Sequence, residues 1–363
     1  MKTIAVLLAL LPMYLSAQHA TDGPYIIYRN DDSAVVKVLL QQEDLIRPAS
    51  SVLAVSALPG TSFTVPVANH PEWAFPIQAH ASLLPAPVTY PASEKILVLS
   101  DIEGEFEAGR QLLIAAGVID TTYNWTFGKG QVVVAGDLFD RGQDVLPWLW
   151  LLYSLETKAA AAGGWVHVLL GNHDIMQLSG DYRYTDARYF KHAWVMGREI
   201  RNLFGADTEL GRWLRSKNII EKGGDYLFMH AGLSPEVLQK QLSLQAINEI
   251  CRPYYGMSRK EMPDSMHMFF DARSPFWYRG YFMKPQAPKT LIDSTLKQYA
   301  CRTIVVGHTI TDTTITMHYK GKVIAVDVNQ HEGHHAALLI EGHSRYIIDD
   351  KGNKTALINN KQP

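Results

Sequence analysis

The sequence predicts a layered α/β domain preceded by a small β-rich module. The first observation is the alternation of apolar strand patterns with helical patterns after Lys95, which is typical of a sheet covered by helices. The second is the composition, because 47% of the 363 residues are hydrophobic and 19% are charged, as in folded globular proteins. The third is the segment 22–92, where short β-rich runs are separated by turn residues. These observations exclude a disordered chain, a collagen-like repeat and a polytopic membrane protein.

Residues 1–17 have the pattern of a secretory signal peptide. Lys2 gives a positive start, residues 4–15 are almost uninterruptedly apolar, and small residues precede an expected cleavage after Ala17. The apolar run is shorter than the roughly 20 residues that span a bilayer. We therefore expect a mature chain, residues 18–363, that is periplasmic or secreted and has no membrane span.

The β-rich module and its linker are predicted to occupy residues 18–92. Strands are expected at 24–28, 34–40 and 62–67, and the prolines that follow them indicate a stiff linker. No motif in this segment indicates chemistry, so its role is open.

Charge and cysteine content limit the classes of function. Lys and Arg number 34 and Asp and Glu number 36, so the chain lacks the basic excess that binding to nucleic acid phosphates requires. Two cysteines, Cys251 and Cys301, leave two alternatives open: one disulfide, which export would permit, or two buried free thiols.

The main domain is predicted to span residues 93–350. Apolar runs predict strands at 95–100, 131–135, 165–170, 225–229, 303–306, 314–319 and 322–328, and a turn joins the last two. Amphipathic patterns predict helices at 105–116 and 143–162. Residues 178–222 are predicted to be a largely helical cap insertion, and residues 351–363 a C-terminal tail.

Five of these strands are followed by side chains that can bind a metal ion. In chain order these are Asp101 and Glu103, Asp137 and Asp140, Asn172 and His173, His230, and His308. Because open α/β sheets bind ligands at the carboxyl ends of their strands, we expect these side chains to converge. Carboxylates, an amide oxygen and imidazoles suit Mn, Fe or Zn. The set is larger than one ion needs, which predicts two divalent ions that share a carboxylate.

These motifs resemble those of the calcineurin-like metallophosphoesterases. Residues 136–142 (GDLFDRG) match the GDxxDRG box of that family, and residues 171–174 (GNHD) match its GNH(D/E) box. His230 in MHAGLSP and His308 in VVGHT match its two later histidine motifs.

Within that family the chain resembles the phosphoprotein-phosphatase branch, and most closely the bacterial-type, Shewanella-like phosphatases. Residues 180–184 (GDYRY) and the SPFWYRGY stretch around Arg279 carry this closer likeness. The likeness covers residues 95 to about 345. It implies a metallophosphoesterase α/β/β/α sandwich with a helical cap insertion, to which the N-terminal β-module is added.

The resemblance also implies metal ligands. Asp101 would bind the first metal, Asp137 would bridge both metals, and Asn172, His230 and His308 would bind the second. His173 would protonate the leaving oxygen and would be oriented by Asp140, whereas Arg141 would bind phosphoryl oxygens. Arg279 is the expected second arginine, although two others compete for this role, Arg183 and Arg273.

One position departs from the family pattern. Where the family has Asp-x-His, this sequence has Asp101-Ile102-Glu103. We expect Glu103 to bind the first metal in place of the histidine, which would favour Mn or Fe over Zn at that position. The alternative is that Glu103 points elsewhere and that the first metal is weak or absent.

Together with the predicted signal peptide, the resemblance implies an exported dinuclear-metal phosphatase. It would hydrolyse phosphomonoesters, with phosphoproteins as substrates, by in-line attack of a metal-bridging hydroxide. Three alternatives stay open: a nucleotide or dinucleoside-polyphosphate hydrolase, a non-catalytic phosphate-binding relative, and an adhesion or scaffold protein built on the β-module.

Further polar residues lie near the end of the domain. His331, His334 and His335 are predicted to be solvent-exposed loop histidines, because Glu332 and Gly333 indicate a turn. For Asp327 two interpretations are open, support of the metal site or simple solvation at a strand end.

Overall fold

The computed structural model describes residues 19–358, in which the chain forms four β-sheets and eight helices of the α type. Residues 1–18, which include the predicted signal peptide, and residues 359–363 lie outside the described range. The strands are β1 (His19–Tyr28), β2 (Ser33–Gln42), β3 (Leu45–Ala54), β4 (Ser62–Val65), β5 (Phe75–Gln78), β6 (Thr89–Tyr90), β7 (Lys95–Leu99), β8 (Gln131–Ala135), β9 (Trp165–Leu169), β10 (Ile220–Gly223), β11 (Tyr226–Met229), β12 (Thr303–Val306), β13 (Thr316–His318), β14 (Val323–Ala325), β15 (Ala336–Glu341), β16 (Ser344–Asp349) and β17 (Lys354–Ala356).

The helices connect these strands or cover them. The α-helices are α1 (Phe106–Ala115), α2 (Val145–Ala161), α3 (Asn172–Ser179), α4 (Ala187–Val195), α5 (Glu209–Arg215), α6 (Pro235–Leu238), α7 (Leu244–Cys251) and α8 (Lys289–Gln298). Short 3-10 helices lie at Val55–Gly60, Pro71–Trp73, Ile200–Asn202, Arg252–Tyr254, Asp264–Phe269, Tyr319–Gly321 and Gln330–Glu332.

Two six-stranded sheets form the centre of the molecule, in the orders β17-β16-β15-β7-β8-β9 and β13-β14-β12-β11-β10-β6. Val98 and Val133 of the first sheet share one buried apolar cluster with Phe228 and Val305 of the second, so the two sheets pack face to face. Helices α1 and α2 cover the outer face of the first sheet, and α7 lies against the second. The predicted α/β fold, a sandwich of two sheets between helices, is confirmed.

The N-terminal module is an antiparallel three-stranded sheet, β1-β2-β3, followed by a hairpin of β4 and β5. The sequence did not predict β3, because its residues are mostly exposed and Pro48 interrupts them, so no alternating apolar pattern marks the strand. Strand β1 packs against the main domain, where the Trp150 indole N–H donates to the Pro24 carbonyl oxygen at 3.0 Å.

Three segments differ from their predicted form. The predicted proline-rich linker contributes β6, which pairs in parallel with β10. The predicted helical insertion contains α4 and α5, but it ends in β10, because the β-branched Ile219 and Ile220 are buried there and β10 pairs with β11. The predicted tail contributes β17 to the edge of the first sheet.

The structure also bears on the predictions about membrane-spanning segments and about the two cysteines. No helix within residues 19–358 combines the length and the apolar character that crossing a bilayer requires. Cys251 is buried and Cys301 half-buried, and both are free thiols, so the structure follows the free-thiol alternative.

Candidate metal centre and active site

The predicted side chains converge at the carboxyl ends of β7, β8, β9, β11 and β12. They surround a cavity of about 280 Å³, whose lining includes Asp101, Glu103, Asp137, His173 and His308. All six predicted metal ligands are buried, with exposed fractions of 5% or less. The convergence that the sequence predicts is therefore present.

The backbone of this site is unusual. Six predicted site residues adopt the left-handed conformation, with φ between 48° and 78°: Asp101, Glu103, Asp137, Asp140, Arg141 and His308. Side chains other than glycine rarely adopt this conformation, and such residues cluster at functional sites, where the surrounding structure holds them in place. Here it turns successive side chains of each loop into the same cavity.

Glycines beside the site leave room for its carboxylates. A Cβ atom on Gly171 would lie 2.1 Å from Asp137 Oδ1, and one on Gly307 would lie 2.3 Å from Asp101 Oδ2. These distances are far below van der Waals contact, so both positions require glycine. This explains why each of the two motifs contains a glycine immediately before its polar residues.

Asp137, His230 and His308 lie close enough to share one metal ion, with ligand atoms within 4.8 Å of one another. His230 Nδ1 donates to the Ala135 carbonyl oxygen at 2.8 Å, so Nε2 carries the lone pair of the neutral ring. That nitrogen lies 3.1 Å from Asp137 Oδ2 and 2.9 Å from Asn172 Oδ1. Nε2 thus faces a carboxylate oxygen and an amide, and a positive charge at this point, whether a proton or a metal ion, would satisfy that arrangement.

The pKa values of the buried side chains also indicate that this site favours a positive charge. Burial lowers the pKa of His230, but Asp137 and Asp101 outweigh burial and raise the pKa to about 10. Burial, with Asp327 and Asp137 nearby, raises the pKa of Asp101 well above its usual value. Several carboxylates therefore compete for little positive charge in a desolvated space. The donor set fits the divalent ions that the sequence predicts.

His308 is held in the form that a metal ligand needs. Its Nε2 lies 3.2 Å from the Trp277 carbonyl oxygen and donates to it, which leaves the Nδ1 lone pair free. Burial, together with His230 and Arg279, lowers the pKa of His308 well below its usual value, so the ring is neutral. Its backbone N–H also donates to the Asp101 carboxylate at 3.1 Å.

His173 is bound in an orientation suited to proton transfer. Its Nδ1 donates to Asp140 Oδ2 at 2.7 Å, and the other oxygen of Asp140 accepts from the Thr185 hydroxyl at 2.8 Å. Its Nε2 faces the cavity, 3.6 Å from Glu103 Oε1 and 3.9 Å from Asp137 Oδ2. Burial lowers the pKa of His173, but these carboxylates outweigh burial and raise it above the usual value.

Glu103 points into the cavity, as predicted, and not away from it. It is 2% exposed, and its ligand atom lies within 4.8 Å of those of Asp137 and His173. Its second oxygen, Oε2, accepts from Arg141 Nη1 at 2.5 Å. Ligation of a metal by Glu103 stays a prediction, and the position of the carboxylate suits it.

The three candidates for the second arginine differ in their surroundings. Arg279 lies at the cavity, where its Nη1 donates to the His308 carbonyl oxygen at 2.7 Å. Arg183 and Arg273 pair instead with Asp181 and Asp271, and their side chains are 65% and 47% exposed. The geometry therefore favours Arg279.

Two further acidic residues, Asp174 and Asp327, lie at the site. Asp174 ends the GNHD box and accepts from three backbone N–H groups, those of Gly171, Asp137 and Leu138, at 2.7, 3.1 and 2.8 Å. It thereby holds together two loops that carry candidate metal ligands. Asp327 is buried at the cavity, and burial raises its pKa to about 6, which favours the site-support interpretation over solvation at a strand end.

The prediction for His331 was wrong. It was expected to be a solvated loop residue, but its Nδ1 lies 3.3 Å from Glu103 Oε2 and 3.2 Å from Arg141 Nη1. The loop carrying His331 and the loop carrying Glu103 are far apart in the chain, so no local pattern relates them. His335, by contrast, pairs with Asp350 at 2.8 Å.

Comparison with known proteins gives concordant results. The sequence profile of the family described as calcineurin-like phosphoesterase matches residues 94–312. An uncharacterized protein of Schizosaccharomyces pombe is 31% identical over 255 residues, which cover 67% of this chain and 74% of that protein. Shewanella-like protein phosphatase 2 of Arabidopsis thaliana is 27% identical over 288 residues, which cover 66% of this chain and 72% of the relative.

A solved structure shares the fold over nearly the whole length. The cold-active protein-tyrosine phosphatase of a psychrophilic Shewanella species superposes with a TM-score of 0.82 at 34% sequence identity. The superposition covers 93% of this chain and 99% of that chain, so it includes the N-terminal sheet as well as the sandwich.

Proposed function

Because the chain belongs to the calcineurin-like phosphoesterase family and is a metal-dependent phosphoester hydrolase, we propose that it is an exported phosphatase with two metal ions that hydrolyses phosphomonoesters of proteins. The observation that carries this proposal is the convergence of Asp137, Asn172, His230 and His308 beside the His173–Asp140 pair. Candidate metal ligands and a candidate proton donor meet in one cavity, which supports ester hydrolysis.

The two metals would share Asp137. Asn172, His230 and His308 would complete one position, and Asp101 and Glu103 the other. When bound, two such ions clamp a phosphoryl group and lower the pKa of a shared water until it is a nucleophile near neutral pH.

The remaining groups act on the ester itself. His173 would give its Nε2 proton to the departing oxygen, while Asp140 keeps the ring in one orientation through Nδ1. Arg141 and Arg279 lie at the cavity and would bind the phosphoryl oxygens, whose charge redistributes in the transition state.

The rim of the cavity favours an aromatic leaving group. Tyr184, Ile310 and Met283 have side chains that are 47%, 48% and 54% exposed. Ile310 and Met283 line the cavity, and the Tyr184 ring lies 5.2 Å from the His173 ring. An apolar rim above charged groups would receive the ring of a phosphotyrosine better than the short chain of a phosphoserine.

A substrate panel tests the proposal. With Mn²⁺ added, we expect a phosphotyrosine peptide to be hydrolysed with higher kcat/KM than a matched phosphoserine peptide or a dinucleoside polyphosphate. Preference for the dinucleoside polyphosphate would replace the proposal with the nucleotide alternative. Absence of metal-dependent release from p-nitrophenyl phosphate in a single turnover would instead favour a phosphate-binding protein.

Metal identity is tested separately. Metal analysis of the purified protein, combined with anomalous diffraction, is expected to show two ions, with Mn or Fe at the position that holds Glu103. The Glu103→His variant should shift preference at that position toward Zn. An unchanged preference would count against direct coordination by Glu103.

Export is supported by the pattern of residues 1–17. Cell fractionation and N-terminal sequencing of the mature protein test it. We expect a mature chain that begins at Gln18 outside the cytoplasm, and a cytoplasmic chain that retains Met1 would contradict export.

A further inference from the structure

His331 reaches the site from a loop that no predicted motif includes. The loop follows β14 and is fixed at both ends. The Asn329 backbone N–H donates to Asp327 Oδ1 at 3.2 Å, and the Gln330 side-chain amide donates to the Ala336 carbonyl oxygen at 3.0 Å. Asn329 has a left-handed backbone, with φ of 62°, and Gln330 is 1% exposed. The position of His331 is thus set by the surrounding structure.

Glu103 presents its two oxygens to different partners. Oε1 faces His173 Nε2 at 3.6 Å, on the side of Asp137, where the first metal would lie. Oε2 faces Arg141 Nη1 at 2.5 Å and His331 Nδ1 at 3.3 Å. Because the Glu103 side chain is 2% exposed, water has little access to it; Arg141 Nη1 donates to Oε2, and His331 lies beside both groups.

A single nitrogen of His331 meets two partners with opposite requirements. The Arg141 guanidinium only donates, so contact with it requires a lone pair on Nδ1, whereas the Glu103 carboxylate only accepts, so contact with it requires a proton there. The neutral ring can satisfy either partner by carrying its proton on Nδ1 or on Nε2. With the proton on Nε2, His331 Nδ1 accepts from Arg141 Nη1, which also donates to Glu103 Oε2.

We infer that His331 is a positioning residue for the first metal: it fixes Glu103, directly or through Arg141, so that Oε1 faces Asp137. A glutamate has three rotatable side-chain bonds, and restraining them before the ion arrives reduces the entropy lost on binding. This inference rests on the proposed two-metal function. It also assigns a structural reason for the glutamate, because a carboxylate has a second oxygen that the Arg141–His331 pair can hold.

The test measures metal binding without any substrate. Metal-free protein is titrated with Mn²⁺, and free Mn²⁺ is followed by its electron paramagnetic resonance signal. We expect two binding sites in the wild type. In His331→Ala, one site should weaken about 10- to 100-fold, while the other is unchanged.

Two further variants make the result specific. His331→Asn keeps a polar atom near the position of Nδ1 and should restore part of the lost affinity. His335→Ala removes a histidine from the same loop that pairs with Asp350, and it should bind Mn²⁺ as the wild type does. Circular dichroism checks that each variant is folded, and the Asn variant serves if the Ala variant is not.

The outcomes separate this inference from the proposed function. Unchanged affinity at both sites in folded His331→Ala and His331→Asn would overturn it, and so would an equal loss in His335→Ala. A weakened first site in a protein that hydrolyses no phosphate ester would support the inference and overturn the proposed function.

Discussion

In the cavity at the strand ends, His173 Nδ1 lies 2.7 Å from Asp140 Oδ2, and where β1 meets α4, His192 Nδ1 lies 2.5 Å from Asp22 Oδ2. Both histidines and both aspartates are at least 94% buried. We call the second region, formed by Asp22, Tyr25 and His192, the junction. The two pairs are nearly alike in geometry and burial.

They differ in what surrounds the pair. At the junction, Asp22 also accepts from the Tyr25 hydroxyl at 2.5 Å and from the Gly23 backbone N–H at 3.0 Å. In the cavity, His173 turns its second nitrogen toward open space and toward the carboxylates of Glu103 and Asp137. A buried carboxylate–histidine pair therefore indicates chemistry only where a nitrogen faces a cavity, and it otherwise stabilises packing.

The largest difference should come from removing one aspartate in each region. Asp137→Ala should lose both metal ions, because both would share this carboxylate in the proposed site, and kcat/KM should fall about 10³-fold or more. Metal analysis and p-nitrophenyl phosphate hydrolysis measure the two effects. Asp22→Asn is the control and should keep both ions, and an Asp137 variant that retains two ions would end the shared-ligand interpretation.

The next largest difference is expected between the two histidines, His173 in the cavity and His192 at the junction. His173→Ala should lower kcat about 10²- to 10⁴-fold while metal content stays intact, because its proposed role is proton transfer. The loss should be smaller for p-nitrophenyl phosphate than for phenyl phosphate, since nitrophenolate departs without a proton. In His192→Ala, kcat of the folded protein should be unchanged, and loss of both ions from the His173 variant would show that His173 is a ligand.

For the free energy of unfolding, we expect substitutions at the junction to have the larger effect. Asp22→Ala leaves His192 buried without its partner and should lower the free energy of unfolding by about 3–5 kcal/mol. Tyr25→Phe removes one hydrogen bond to the same carboxylate and should cost about 1 kcal/mol. Urea unfolding followed by circular dichroism measures both, and an unchanged midpoint in Asp22→Ala would mean that the junction adds nothing to stability.

The smallest expected effect is on the reactivity of the two cysteines, which lie in neither region. Burial raises the pKa of the Cys301 thiol to about 11, so at pH 8 only about one molecule in a thousand carries the reactive thiolate. Labelling by iodoacetamide should be slow at pH 8 and accelerate as pH rises toward that pKa, whereas Cys251 should label only after unfolding. Absence of free thiols in the denatured, unreduced protein would instead show the disulfide.

The sequence predicted most of the sandwich and the inner part of the site. Buried strand runs and the polar residues that follow them are local patterns, so Asp137, Asn172 and His173 could be placed from the sequence. The exposed strand β3 and the two-residue β6 carry no such pattern. They exist because neighbouring strands offer hydrogen-bond partners.

The partners of individual side chains could likewise not be predicted from local sequence patterns. Arg183, Arg273 and Arg279 are the same residue type, and only their neighbours distinguish them: two are exposed and pair with aspartates, and one lies at the cavity. His331 was assigned to solvent for the same reason, because a turn pattern describes the local chain and says nothing of a distant glutamate.

By itself, the sequence determined which chemical groups follow which strands, because identity and spacing along the chain are fixed covalently. It also indicated that the groups after β7, β8 and β9 meet, since the carboxyl ends of parallel strands in one sheet share an edge. His230 and His308 follow strands of the second sheet, and the packing of the two sheets brings them to the same cavity. Tertiary structure alone decided which histidine faces a cavity and which is enclosed, and it alone brought His331 to Glu103. Those facts depend on distances between loops remote in the chain, which arise only when the packed sheets fix where each loop lies.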